Sequence, residues 1–250
     1  MFFGINSKSY IVYGNFTIGF EFKIYICDIM KNHFLILLAG LFTLSASAQQ
    51  TQVFNKKGYK LTFINQDVTL DTSLQQRMIS TFYKVYPELA KAYNKKTAKE
   101  VIFVIDTTYK GVAETDNGKV TISSNWMHKH PEDIDVITHE VMHIVQGYGE
   151  SAGPGWLTEG IADYARYKYG VNNTAAKWLL PAYKASQNYT NSYRITARFL
   201  VWMEEKVKPG VVKNFNKQLR LHTFTDNSWK DATGKTLDEL WKSYAEDPAI

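Results

Sequence analysis

The chain has 250 residues, of which 45% are hydrophobic and 21% are charged, a composition typical of globular proteins and unlike that of disordered or collagen-like chains. Its single cysteine excludes an intrachain disulfide framework and a cysteine-based zinc finger. The formal net charge of +5 is mild and no dense basic block is present, so we expect no nucleic-acid partner.

Residues 30–48 have the layout of a secretory signal peptide. Lys31 supplies the positive start, residues 34–44 are mostly apolar, and residues 46–48 (Ala-Ser-Ala) form a small-x-small cleavage pattern. An apolar run of this length is too short to span a bilayer, which needs about 20 residues. We therefore expect cleavage near Ala48-Gln49, a secreted or periplasmic protein, and no stable membrane insertion of the mature chain.

Residues 1–29 precede this segment and show no sustained strand or helix period. Because a signal peptide works at the N-terminus, we interpret Met30 as the true start and residues 1–29 as a misassigned extension. The alternative is a genuine N-terminal β segment. In the first interpretation the mature protein is a single domain over residues 49–250, a size that suits one hydrophobic core, and we expect a monomer.

The first part of the mature segment is rich in strand patterns. Alternation predicts strands at residues 59–65 and 68–70, and Asp71 is a suitable cap for an amphipathic helix that continues to about Tyr93. A β-branched run at residues 101–105 predicts a buried strand.

The second part of the mature segment is mostly helical. Asn117-Gly118 predicts a turn, and residues 119–123 then alternate like an exposed or edge strand. Helices are predicted over residues 132–147, 155–169, 174–187, 192–207, 209–220 and 236–245. Strands followed by helices indicate an α+β fold, with a small mixed sheet and a mainly helical C-terminal part.

The first of these later helices contains an H-E-x-x-H motif, His139-Glu140-Val141-Met142-His143. In a chain with 6 His, random order produces roughly 0.007 such matches. Residues four apart project from the same helical face, so the two imidazoles can bind one Zn²⁺. Glu140 lies beside them and can act as a general base towards water. We predict His139 and His143 as zinc ligands and Glu140 as a catalytic residue.

A catalytic zinc keeps three protein ligands and one open position, so a third ligand is required. The metzincin pattern fails because Gly149 occupies the position of its third histidine. Glu159 and Asp163 are one turn apart on the next predicted helix, so both can face the first helix. We predict Glu159 as the third ligand and Asp163 as the acceptor for the outer nitrogen of His139. The other reading is a solvated acidic face of an amphipathic helix.

The segments HEVMHIVQ and GWLTEGIADYAR together resemble the basic secretory protein peptidases of plants and bacteria, within the larger zincin clan whose third ligand is glutamate, the gluzincins. The resemblance continues in YRITARFLVWMEE and GKTLDELWKSY and covers residues 59–245. It implies a zincin-like domain, zinc peptidase activity and secretion, with His139, His143 and Glu159 as ligands and Glu140 as base. The name fits poorly in one respect, because this chain is only weakly basic.

Two further elements of a peptidase site are predicted with alternatives left open. The tetrahedral oxyanion formed during amide hydrolysis needs a donor besides the metal, and Tyr193, His128 and His130 are candidates. A peptide or protein substrate could pair with an edge strand, for which residues 119–123 are the candidate.

The sequence also leaves the type of activity open. A secreted zinc peptidase agrees best with the motifs. A zinc aminopeptidase would need an acidic anchor for the substrate amine, and no anchor motif stands out before the H-E-x-x-H segment. A secreted binding or defence module of the same fold, with little or no catalysis, is the third possibility.

Overall fold

The computed structural model describes residues 4–13, 16–25, 50–150 and 152–250, and the chain divides into an N-terminal unit, Met1–Ala46, and a second unit, Ser47–Ile250. In the first unit, strands β1 (Gly4–Tyr13) and β2 (Phe16–Tyr25) pair antiparallel. The sequence analysis missed the alternation of apolar residues along β2. The predicted signal peptide, residues 30–48, lies outside the described residues.

The second unit has a mixed five-stranded sheet. The strands are β3 (Gln50–Lys56), β4 (Tyr59–Asn65), β5 (Glu100–Asp106), β6 (Ala113–Asp116) and β7 (Lys119–Ser123). Their order in the sheet is β3-β4-β5-β7-β6. The central strands β4, β5 and β7 are parallel, whereas β3 and β6 run antiparallel to their neighbours at the two edges.

Eight α-helices lie in the part of the second unit that the structure describes. They are α1 (Thr72–Tyr93), α2 (Ser124–Lys129), α3 (Val136–Gln146), α4 (Gly155–Tyr169), α5 (Tyr193–Trp202), α6 (Val211–Arg220), α7 (Ser228–Thr233) and α8 (Leu237–Glu246). The α5 helix continues into a π-helical turn at Met203–Val207, and a 3₁₀ turn at Tyr189–Asn191 precedes it. The predicted α+β class is confirmed.

The sheet and α1 form the centre of the hydrophobic core. Asp71 caps α1 as predicted, because its carboxylate accepts a hydrogen bond from the Leu74 amide at 2.8 Å. Phe82 of α1 is fully buried and packs edge-to-face on Phe103 of β5, with ring centroids 5.5 Å apart. On β5 only alternate side chains are buried, and Ile102 is exposed. The sheet therefore buries one face more completely than the other.

One predicted strand is wrong, and a second is correct in its residues but is not at an edge of the sheet. Residues 68–70 form a turn, because the Asp67 carboxylate accepts hydrogen bonds from both the amide and the hydroxyl of Thr69 and so competes with strand pairing. The strand β7 is not an edge, since it pairs with β5 on one side and with β6 on the other. Asn117 and Gly118 have φ angles of 45° and 77°, which suit a two-residue hairpin turn that folds β6 onto β7. On this side of the sheet the free edge is therefore β6, which was not predicted from the sequence.

Two helix predictions also need correction. The α3 helix begins at Val136 rather than at residue 132, because the Asp135 carboxylate accepts the Thr138 hydroxyl and the Val171 amide, each at 2.8 Å. Residues 174–187 contain no α-helix. Lys177 has a φ angle of 53°, in the left-handed region, and Pro181 has no N–H for a helical hydrogen bond. The spacing of the apolar residues predicted a helix, but these residues form an irregular segment instead.

No helix in the described parts of the chain is both long and apolar enough to cross a membrane.

The close contact between α4 and α5 depends on Gly160. A Cβ atom added to Gly160 would lie 2.6 Å from the Thr196 Cβ, well inside van der Waals contact. We expect Gly160→Ala to lower the free energy of unfolding by about 1–3 kcal/mol, because the two helices must move apart. Gly155→Ala is the matched control in the same helix, since an added Cβ there meets no atom within 4 Å. Equal stability of the two variants in urea unfolding would contradict this account.

Candidate active site

The α3 helix presents polar groups to a groove while its opposite face lies in the core. Val141 and Val145 are fully buried, and Gly147 ends the helix in the left-handed conformation at φ 52°. His139 and Glu140 are buried, with 8% and 5% of their surfaces exposed. The helix thus supplies two imidazoles and a carboxylate from rigid backbone, and most of this face is shielded from water.

The structure brings His139, His143 and Glu159 together. The two Nε2 atoms lie 3.1 Å apart, and the Glu159 Oε2 lies 3.2 Å from His139 Nε2 and 3.5 Å from His143 Nε2. Among the described residues this is the cluster whose ligand atoms could hold one metal ion. Glu159 comes from α4, which packs against α3.

The spacing of these three atoms fits zinc. Two ligands at about 2.0–2.1 Å from a tetrahedral Zn²⁺ lie roughly 3.3 Å from each other, close to the three observed separations. Two imidazole nitrogens and one carboxylate oxygen are also a donor set that catalytic zinc takes, with the fourth position open. The residues present therefore fit the metal.

Two further side chains orient the imidazoles. The Asp163 carboxylate lies 2.7 Å from His139 Nδ1, and the Gln146 amide oxygen lies 2.8 Å from His143 Nδ1. Gln146 is itself held, because its NH₂ donates to the Thr158 carbonyl at 2.9 Å. A carboxylate or amide acceptor on the outer nitrogen directs the Nε2 lone pair towards a metal. The sequence analysis named Asp163 but missed Gln146, whose signal was its position one turn after His143.

The electrostatics of the cluster favour a cation. Burial alone disfavours the imidazolium form of His139, but hydrogen bonds to Asp163 and Glu159 outweigh burial and raise its pKa to about 10. Burial likewise disfavours the carboxylate of Glu159, but hydrogen bonds from His139 and His143 hold its pKa well below the ordinary value. The carboxylates thus create a negative potential where the three ligand atoms meet.

Glu140 is held by the edge strand. The Thr115 hydroxyl of β6 lies 2.6 Å from Glu140 Oε2 and 3.0 Å from the Glu140 carbonyl oxygen. This contact positions the carboxylate beside the cluster and joins α3 to the free edge of the sheet. Nothing in the sequence marked Thr115, because its role depends on the register of β6.

The three candidates for an oxyanion donor have different positions. The Tyr193 ring stacks on His139 with ring centroids 6.2 Å apart, and 55% of its surface is exposed. The negative charge of Glu159 raises the pKa of the Tyr193 phenol. His128 binds Asp67 at 2.7 Å, and it does not line the groove. His130 lines the groove, and its ring is tilted against the Trp126 ring with the ring centroids 4.1 Å apart.

Tyr193 has an unusual backbone. Ser192 and Tyr193 have φ angles of 68° and 48°, which are uncommon for residues with a Cβ atom. Such conformations cost on the order of 1–3 kcal/mol each and persist only where the surroundings impose them. They bring the Tyr193 ring to the cluster at the start of α5.

These groups lie in a groove of about 1730 Å³ between β6, α3 and the segments that follow α2 and α4. The groove contains the three ligand atoms, Glu140 and Tyr193 in one space. The groove borders the outer edge of β6, so it could accommodate an extended peptide.

The fold and the site together describe a mixed α+β domain whose α3 helix carries an H-E-x-x-H motif. Comparison with known sequences then shows the family of the chain. Residues 41–244 match the family BSP, described as a peptidase of plants and bacteria, and the chain belongs to this family. No curated protein matches the sequence.

One solved structure shares the fold at low sequence identity, and a second is a weaker structural match. An aminopeptidase N family protein from Idiomarina loihiensis has a TM-score of 0.51 and 11% identity, over 78% of this chain and 46% of that chain. An M1 zinc metallopeptidase variant from Deinococcus radiodurans, bound to a Tyr-Ser-Ala substrate, has a TM-score of 0.43 and 15% identity, over 97% of this chain and 57% of that chain. The chain therefore spans about half the length of these structures.

Proposed function

We propose that this member of the peptidase family is a secreted or periplasmic zinc-dependent peptidase with a zincin-like fold, whose mature form is residues 49–250. The single observation that carries the proposal is the convergence of His139, His143 and Glu159 with Glu140 beside them. Family membership supports the peptidase activity, and the donor set supports zinc.

His139, His143 and Glu159 would hold the zinc, and bound Zn²⁺ would supply Lewis-acid polarisation of the scissile carbonyl and of water. Glu140 accepts a proton from the attacking water, and Thr115 holds its carboxylate in the orientation for that transfer. Glu140 then returns the proton to the leaving amine, because the amine must be protonated when the C–N bond breaks. Asp163 and Gln146 keep the two imidazoles in the required tautomer and orientation.

The substrate is a peptide or protein that binds in an extended conformation. An extended chain can add to the outer edge of β6, beside which no further described strand lies. This replaces residues 119–123 as the pairing strand, since β7 is covered by β6. The hydrogen bond from Thr115 to Glu140 then places the scissile bond near the catalytic carboxylate.

The proposal is tested with a peptide whose two termini are blocked. We expect cleavage by the zinc-loaded protein, loss of cleavage when a chelator removes the metal, and recovery on addition of Zn²⁺, because a water activated without the metal is a far weaker nucleophile. Zinc content is measured by elemental analysis of each sample. Cleavage of only unblocked peptides would favour an aminopeptidase, and zinc binding without any cleavage would favour a binding module.

Tyr193 is the proposed donor to the oxyanion. Its phenol, with an ordinary pKa of about 10, is protonated at neutral pH, and the ring lies against His139. We expect Tyr193→Phe to lower kcat by about 10²-fold with little change in KM, since the hydrogen bond forms mainly in the transition state. His130→Gln is the comparison variant, and a larger kcat loss there would move the role to His130.

A further inference from the structure

The groove carries opposite charge at its two ends. The cationic end is defined by Lys129, Lys177 and Arg194, and the acidic end by Asp116 and Glu150. The acidic end lies beside the residues that follow α3, and the cationic end lies beside the residues that precede α3. A long substrate in this groove would therefore meet a different potential on each side of the metal centre.

Arginine and tryptophan side chains lie next to one another at the cationic end. The Arg194 guanidinium lies 6.0 Å from the centre of the Trp178 ring, and Arg166 lies 4.5 Å from the same ring. Arg166 is buried and forms an ion pair with Asp133, which also accepts the Trp126 indole N–H at 2.8 Å. Arg194 is exposed, and its guanidinium donates to the Leu179 carbonyl at 3.3 Å, so its charge lies beside the groove.

Two of the acids near this end have partners. Asp133 binds Arg166 and Trp126, and Glu132 binds Arg77 at 2.6 Å. Glu114 of β6 also lines the groove, and neither it nor the three cations of this end forms an ion pair with another described residue. The three positive charges outnumber this one unpaired carboxylate, and the excess is available to a ligand in the groove.

The direction of a bound peptide follows from β6. The Ala113 end of β6 lies beside α2, since the Ser123 amide donates to the Val112 carbonyl at 3.0 Å. The Asp116 end lies beside Gly118, at the opposite end of the hairpin. Antiparallel pairing is slightly more stable than parallel pairing, so an added peptide runs from Asp116 towards Ala113. Its C-terminal side then reaches the cationic end.

We propose that the cationic end selects substrates with acidic side chains on the C-terminal side of the cleaved bond, and that the acidic end disfavours such side chains on the N-terminal side. This inference rests on the proposed peptidase function and adds a substrate class to it. Arg194 is a specificity-determining residue in this proposal, not a catalytic one.

The test uses two blocked peptides of identical composition and opposite order. One has lysines before and glutamates after a neutral central segment, and the other has the reverse order. Binding is measured by fluorescence anisotropy on zinc-loaded Glu140→Gln protein, and kcat/KM on the wild type. We expect roughly tenfold tighter binding of the first peptide, as two or three exposed charge pairs provide. The net positive charge of the protein would attract both peptides equally.

Arg194→Glu is expected to reduce this preference to about threefold or less. The change suits the fold, because an acid is favourable in the first turn of α5. Lys242→Glu, an exposed site outside the groove, makes the same change in net charge and should retain the preference. Equal binding of the two peptides by the parent protein, or a preference that survives in Arg194→Glu, would overturn the inference. Selective binding without wild-type cleavage would instead contradict only the peptidase proposal.

Discussion

Glu140→Gln is expected to lower kcat/KM for a blocked peptide by about 10²–10⁴-fold while the zinc content stays unchanged. Glutamine has nearly the same shape as glutamate and can still accept the Thr115 hydroxyl, but its amide cannot take a proton from water. Because Glu140 is not one of the three residues whose ligand atoms converge, the metal site should remain intact. The variant thus separates proton transfer from metal binding.

The measurement needs zinc content and cleavage on the same preparation. Glu88→Gln is a matched control, since Glu88 is exposed on α1 and does not line the groove. It should retain both zinc and activity. If Glu140→Gln cleaves the peptide as fast as the wild type, another group must act as the base and the proposed mechanism is wrong.

The second large effect is expected for Glu159→Ala, which should weaken zinc binding by roughly 10²–10³-fold. This figure assumes that a zinc-binding free energy of about 10–16 kcal/mol is divided equally among the four positions of a tetrahedral site, of which Glu159 fills one. The Glu159 carboxylate is also the acceptor that faces both Nε2 atoms, so its loss removes the negative charge closest to the metal position. Activity at low free zinc should fall in parallel.

A graded comparison distinguishes ligation from orientation. Asp163→Asn retains a hydrogen-bond acceptor for His139 and should weaken zinc binding by only about 10–100-fold. Zinc affinity is measured by competition with a chelator of known affinity. Wild-type zinc affinity in Glu159→Ala would remove Glu159 from the metal site and leave the third ligand unassigned.

Local sequence patterns were sufficient to predict those site residues that lie on one helix or on two helices adjacent in the sequence. The four-residue spacing of His139 and His143 puts both imidazoles on one face, and Glu159 and Asp163 share the same spacing on α4. The cap at Asp71 and the stop at Gly147 are likewise local, since a side chain and a glycine determine them. The predictions for α1 and α4 therefore agree with the helices in the structure.

Contacts between distant segments decided the features that the sequence analysis missed or misplaced. Thr115 reaches Glu140 only because the hairpin folds β6 along α3, and that fold also makes β6, not β7, the free edge. Residues 174–187 have a helical pattern, but they form an irregular segment from which Trp178 contacts Arg166 and Leu180 and Tyr183 pack against the core.

The sequence by itself therefore predicted the proposed donor set and general base and determined the α+β class, because each depends on residue type and on spacing along one chain segment. Only the tertiary structure decided which strand borders the groove, that Gln146 contacts His143, and where the charges of the groove lie. The physical reason is that strand order, side-chain register and the electrostatic potential of a groove arise from segments far apart in sequence, and no local period encodes their meeting.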